Sequence, residues 1–141
     1  MRLSTTPLDI FKVTIVKPDD IIQARQEGRT LAKKLGFRIV DQTRLATAIS
    51  ELARNILNYA GEGVCHICSY REQNLTHIEI VAEDFGPGIA DIEQAMQDGY
   101  SSGNGLGVGL PGTRRLVDQF EIESSPGHTR VTAIMSRAIG H

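Results

Sequence analysis

Residues 103–112 read Gly103-Asn104-Gly105-Leu106-Gly107-Val108-Gly109-Leu110-Pro111-Gly112, with glycine at every second position before a proline. Thr113, Arg114 and Arg115 follow and open a helical pattern. Glycines this close together remove side chains and permit positive φ, so consecutive backbone N–H groups can converge on one concave point. Pro111 suits the first turn of a helix, where its missing N–H is not needed. A loop of free N–H groups that runs into a helix N-terminus is an anion site, and phosphate is the usual anion. The alternative is a flexible surface loop, which glycine-rich segments often are. Two better-known phosphate motifs do not fit. Gly107-x-Gly109-x-x-Gly112 spells the dinucleotide fingerprint, but that motif follows directly on a strand, and here more glycine precedes it. Gly107 to Thr113 resembles a P-loop without its lysine. Something elsewhere in the chain must hold the other end of the nucleotide.

Upstream, Leu75 to Glu83 alternates Ile78, Ile80 and Ala82 with His77, Glu79 and Val81, the pattern of a strand. It runs into Asp84-Phe85-Gly86-Pro87-Gly88-Ile89, a tight turn that aims the Asp84 carboxylate at whatever lies above the sheet. Val64 to Tyr70 is a second strand, joined to the first near Gln73-Asn74 as an antiparallel hairpin. It contains the only cysteines, Cys65 and Cys68. Three residues apart on a strand, they point to opposite faces, so neither a redox pair nor half of a zinc site is expected.

The helix before that hairpin spans roughly Asp41 to Tyr59, with Asp41 as its expected N-cap. Leu45, Ile49, Leu52, Ile56 and Tyr59 recur at helical spacing and form the core stripe. Glu51 and Asn55, four apart, lie together on one flank of it. A carboxylate and a carboxamide at a core boundary can hold a divalent cation or a water beside a pocket; a plain polar flank is the alternative. Earlier still, Phe11 to Val16 reads as a strand, and Pro18-Asp19-Asp20 starts a helix to about Leu35 that stops at Gly36. That helix turns Ile21, Ala24, Gly28, Leu31, Ala32 and Leu35 inward and Arg25, Arg29, Lys33 and Lys34 outward.

Downstream of Asp84, Asp91 to Asp98 is a short amphipathic helix, and Gly99 to Gly109 forms a lid. No Lys or Arg occurs from Ile89 to Gly109, so a lid over phosphates would work through backbone N–H groups and a metal. Leu110 to Gln119 is the third long helix. Two closing strands, Phe120 to Ser124 and Thr129 to Met135, flank a turn at Ser125-Pro126-Gly127.

The chain of 141 residues fits one domain, 1–141, with a single core. A net charge of −2 with no basic stripe argues against nucleic acid as a partner. No apolar run approaches a membrane span and no signal-peptide h-region opens the chain, so the expected location is cytoplasmic.

Taken in order, Glu51 and Asn55 on a helix, Asp84-x-Gly86-x-Gly88 after a strand, the glycine loop, and Gly127-x-Thr129 entering the last strand resemble the GHKL superfamily of ATP-binding domains. That superfamily includes DNA gyrase, Hsp90, sensor histidine kinases and MutL proteins. The likeness covers about Val13 to Met135. Within it, "AISELARNILNYAG", "AEDFGPGI", "DGYSSGNGLGVGLPG" and "RRLVDQFEIES" are most similar to the RsbT-type switch kinases, the serine kinases of stress-signalling modules. Their anti-sigma relatives usually carry an E-A-V-T-N pattern where this chain has Glu51-Leu52-Ala53-Arg54-Asn55.

The resemblance implies a Bergerat fold, an α/β sandwich (two-layer, α+β) with helices on one face of a mixed, mainly antiparallel sheet. It implies ATP and Mg²⁺ as cofactors, with Asn55 coordinating Mg²⁺ and Glu51 acting as general base toward a serine hydroxyl. Asp84 should accept a hydrogen bond from the adenine amino group, with Thr129 assisting. Gly86 and Gly88 let the backbone approach the nucleotide, and Gly103, Gly105, Gly107, Val108, Gly109 and Leu110 form the lid and its exit. The implied partners are a STAS-domain antagonist of a stressosome-like assembly, which is phosphorylated, and a PP2C-type phosphatase, which is activated. Anti-sigma sequestration of a sigma factor is the rival function. The family commonly has Gly-Thr before the last strand, whereas this chain has His128-Thr129. His128 is then a tolerated loop residue or an extra contact near the nucleotide. No phosphoacceptor histidine helix is evident, which argues against a histidine kinase.

Overall fold

The computed structural model describes residues 9–88, 96 and 109–139. Its elements run β1 (Asp9–Ile15), α1 (Pro18–Lys34), α2 (Ile39–Ala60), β2 (Gly63–Glu72), β3 (Leu75–Asp84), α3 (Gly109–Leu116), β4 (Gln119–Ser125) and β5 (His128–Arg137). The strands form one sheet in the order β1-β2-β3-β5-β4. All four pairings are antiparallel. The resemblance implied a mixed sheet, mainly antiparallel; among the described residues no parallel pair occurs. β2–β3 and β4–β5 are each joined by a two-residue turn, which only antiparallel neighbours allow.

Strand alternation sends one set of side chains towards the helices. Val13, Ile15, Cys65, Ile67, Ile78, Ile80, Val131, Ala133 and Met135 form one buried cluster with Leu31, Leu45, Ile49, Leu52 and Ile56 of α1 and α2. Every expected inward position of α1 from Ile21 to Ala32 is buried. Its first turn is tied by the Asp20 carboxylate, which accepts hydrogen bonds from the Val16 and Lys17 N–H groups at 2.9 and 3.1 Å. Gly36, at φ +89°, follows its last turn, the left-handed stop that glycine adopts without strain.

Three expectations require correction. α2 begins at Ile39 with Arg38 as its N-cap, so Asp41 lies inside the first turn rather than capping it. Its carboxylate is engaged elsewhere, accepting hydrogen bonds from Arg137 Nε and Nη2 at 3.0 and 2.9 Å. α3 begins at Gly109 and ends at Leu116, three residues short of Gln119. Asp118 draws the chain into the sheet: its N–H donates to Ile134 O, and its carboxylate accepts from Ser136 N–H and Arg137 Nη1. Gly109 therefore belongs to the helix and not to the end of a lid.

The cysteines sit as strand geometry requires. Cys65 is buried in the core and Cys68 is half-buried, with no disulfide between them. Burial pushes the Cys65 thiol up to about 12. The expected short helix 91–98 and the lid residues Gly103, Gly105, Gly107 and Val108 lie outside the described residues, save Met96, which packs against the core.

Candidate active site

Ten paired residues hold β3 to β2 and nine hold it to β5, and the far end of that ladder builds the site. Asp84 is opposite Gly63 on one side and Thr129 on the other, and Thr129 in turn is opposite Ser124. The Ser124 and Thr129 hydroxyls lie 2.7 Å apart. Above this row passes the last part of α2, which ends at Gly61 in the left-handed conformation. Leu52, Ile56, Ala82 and Val131 give the resulting cavity an apolar floor. Asn55, Tyr59, Asp84, Leu110 and Thr129 complete its lining.

Asp84 is 5% exposed. Its Oδ1 accepts a hydrogen bond from the Gly86 N–H at 3.1 Å, closing a turn directly after the strand. Burial raises its carboxyl above the usual aspartate range; the Gly86 N–H and the nearby His128 pull it down, and Glu83 pushes it up. The glycines after it are there for space. A Cβ on Gly86 would lie 2.5 Å from Ala60 Cβ, and one on Gly88 (φ +88°) would lie 2.4 Å from Ser125 O.

Asn55 carries the most telling atom. Its Nδ2 is buried and has no hydrogen-bond partner. An amide left so costs about 1–3 kcal/mol, a penalty that a ligand accepting from it removes. A carboxamide can offer its oxygen to a hard cation and its N–H to a phosphate oxygen, so the donor set fits a metal–phosphate group.

One helical turn earlier, Glu51 is 7% exposed. Its Oε1 takes the Arg54 guanidinium at 2.5 Å, and its Oε2 faces the Gly109 N–H at 3.4 Å. The N-terminus of α3 thus abuts the carboxylate. Thr113, fully buried, fixes that turn by donating to Gly109 O at 2.8 Å. Arg44 ties the other end of α3, donating to Arg115 O at 3.0 Å.

The structure therefore gathers Asn55, Asp84, Leu110 and Thr129 around one cavity, with Glu51 and Gly109 in contact beside it. Gly86 packs against Ala60 at the end of α2, and Gly88 against Ser124 and Ser125 of β4; neither lines the cavity. His128 faces away from Thr129, as its neighbour on a strand must. Its Nε2 meets Glu83 Oε2 at 2.6 Å and its ring leans on Phe85 at 5.2 Å, so it is held by the far face of the sheet. Sequence reasoning missed Tyr59 as a lining residue, having assigned it to the core, and missed Arg54 altogether. The spacing of Arg54 from Glu51, three residues on a helix, was the available signal.

A wider groove crosses the opposite, open face of the sheet and includes Glu72, Glu79, Glu121 and Glu123. Four carboxylates there repel phosphate, whereas the cavity under α2 has only one, Asp84, among the described residues of its lining.

Comparison with known proteins bears on the family. Residues 40–138 match the family described as histidine kinase-, DNA gyrase B-, and HSP90-like ATPase. The chain is 51% identical over 123 residues to the serine/threonine-protein kinase RsbT of Bacillus subtilis, covering 86% of this chain and 92% of that one. It is 31% identical over 110 residues to an anti-sigma F factor of Caldanaerobacter subterraneus, covering 74% and 76%. In three dimensions it is similar to the RsbU and RsbW domains of a Mycobacterium tuberculosis protein, with a TM-score of 0.61 at 16% identity, over 94% of this chain and 34% of that one. The catalytic domain of histidine kinase ThkA superposes with a TM-score of 0.52 at 15% identity, over 91% of this chain and 95% of the other.

Proposed function

This chain belongs to the RsbT-type serine/threonine-protein kinases within the histidine kinase-, DNA gyrase B- and HSP90-like ATPase family, and from that premise we propose that it phosphorylates a serine of a STAS-domain partner with ATP. Freed from that partner, it binds and activates a PP2C-type phosphatase. The observation that carries the reading is the partnerless Asn55 amide in a cavity shared with Asp84 and Thr129.

Asp84 and Thr129 receive the adenine, the carboxylate accepting from its exocyclic amino group. Leu52, Ile56 and Val131 exclude water from the ring. Asn55 is the residue that would hold Mg²⁺, which when bound supplies charge neutralisation at the phosphates. The N–H groups at the start of α3 add a favourable dipole there. Glu51 accepts the proton of the incoming serine hydroxyl. The serine oxygen bonds to the γ-phosphorus, and the bond to the bridging oxygen breaks with its electrons leaving on ADP. Such a transfer needs mainly positioning and electrostatic stabilisation. On this reading the protein works in the cytoplasm, the compartment that holds ATP. No helix among the described residues is long and apolar enough to cross a membrane.

The test follows γ-labelled Mg-ATP in a mixture with a purified STAS-domain protein, using Glu51→Ala as control. Label on a partner serine, lost in the control, is the expected result. Tight nucleotide binding without transfer would instead favour sequestration of a sigma factor, the reading that the anti-sigma relative at 31% identity supports. Stoichiometric capture of a sigma factor would then decide for it.

A further inference from the structure

Arg54 has no role in the account above, yet it makes the closest polar contact in the site. Its guanidinium sits 2.5 Å from Glu51 Oε1, while Glu51 Oε2 faces the Gly109 N–H. Both oxygens of Glu51 thus already accept a hydrogen bond in the resting protein, and the guanidinium competes for Oε1 with any incoming hydroxyl. The Arg54 side chain is 36% exposed and Glu51 only 9%, so the cation can move while the carboxylate stays. Arg54 is also the immediate neighbour of Asn55, whose amide lacks a partner. No lysine or arginine lies anywhere from Ile89 to Gly109, so the glycine loop brings no fixed cation of its own.

We propose that Arg54 is a latch on the general base, holding Glu51 in the resting protein and transferring to the terminal phosphate when a nucleoside triphosphate enters. The inference rests on the nucleotide-kinase reading of this cavity. A guanidinium prefers a phosphate to a carboxylate when both are in reach, because phosphate offers more charge and the same forked geometry. The γ-phosphate thereby exposes Glu51 Oε1 at the moment a phosphoryl donor is present. A diphosphate ends one group short and leaves the Arg54–Glu51 pair closed. The positive charge that the loop lacks comes from α2, and the protein partner need not bring it. Arg54 is accordingly a positioning residue for Glu51 as well as a ligand of the triphosphate.

The test compares the full chain with Arg54→Ala and Arg54→Lys by calorimetry, using Mg-ADP and a β,γ-imido ATP analogue. Arg54→Ala should lose roughly tenfold in affinity for the analogue with ADP affinity unchanged, and Arg54→Lys should recover most of it. In the same samples the Arg54 Nε–H resonance should be alike in the free and ADP-bound protein and shift with the analogue. Glu51→Gln should release that resonance without any nucleotide. Equal losses for both nucleotides in Arg54→Ala, or a resonance unmoved by the analogue, would overturn the latch while leaving the nucleotide site intact. A wild-type protein that binds neither nucleotide would overturn the underlying reading too, so the two failures are distinguishable.

Discussion

Replacing Asp84 by asparagine should move stability and nucleotide affinity in opposite directions. Asp84 is 5% exposed, and burial is the main cause of its raised carboxyl pKa. A carboxyl whose pKa is raised on folding binds its proton more tightly in the native than in the unfolded chain. Native stability therefore falls as pH rises from the ordinary aspartate range through the raised value, and at pH 7 the ionised group is a net cost. Asparagine keeps an acceptor for the Gly86 N–H and removes the charge. The expected gain at pH 7 is on the order of 1 kcal/mol, or roughly 3–5 °C in Tm. It should shrink as the pH is lowered through the raised value and vanish below the ordinary one, where Asp84 is neutral in both states. Nucleotide binding goes the other way. In the role proposed for Asp84, the charged acceptor for the adenine amino group becomes a neutral amide, and such a bond contributes about 1.5–3 kcal/mol, so ATP affinity should fall roughly 10- to 150-fold. By the same titration, wild-type affinity should weaken as pH drops through the raised value. Thermal melts at pH 7 and pH 4 and calorimetric titration with ATP read both effects. An Asp84→Asn protein that is less stable at pH 7, or that binds ATP as the wild type does, would refute the reasoning.

Asn55→Ala removes an amide nitrogen with no internal partner, so it should leave Tm within a few degrees of wild type while Mg-ATP binding is lost; circular dichroism melts and calorimetry check the pair. Arg137→Ala strands the buried Asp41 carboxylate and frees Asp118, which should cost about 2–3 kcal/mol and lower Tm by roughly 6–12 °C in scanning calorimetry. With iodoacetamide at pH 8, intact-mass analysis should show one adduct, at Cys68, and a second at Cys65 only when the protein is unfolded, since burial holds the Cys65 thiol near 12.

The parts of the fold legible in the sequence were those set by local periodicity. Leu45, Ile49, Leu52 and Ile56 announced α2, and the alternation of Ile78, Ile80 and Ala82 announced β3. Gln73, at φ +57°, occupies the turn expected near Gln73-Asn74. The misreadings share one cause. Asp41 looked like a helix cap and the third helix looked as if it ran on through Asp118 to Gln119, but each of these carboxylates is claimed by Arg137. That partner is 96 residues from the first and 19 from the second, beyond the reach of any window. In the site, the ordered motifs brought Asn55, Asp84 and Thr129 together on paper and the sheet register brings them together in space. Arg54 went unread because a cation beside a carboxylate on a helix is usually just a surface pair.

The place of β5 in the sheet bears on how the protein is made. It is the last strand in sequence, yet it lies between β3 and β4 and carries Thr129 and Val131 into the cavity. On the ribosome, β1, α1, α2, β2 and β3 emerge well before it. Until residues 128–137 clear the exit tunnel, β3 has a bare edge and the cavity lacks a wall. Synthesis thus leaves the cavity one wall short until the final strand slots in. A chain that stalls or is cut short of that strand is left with an open cavity and an exposed β3 edge, a template for pairing with another chain.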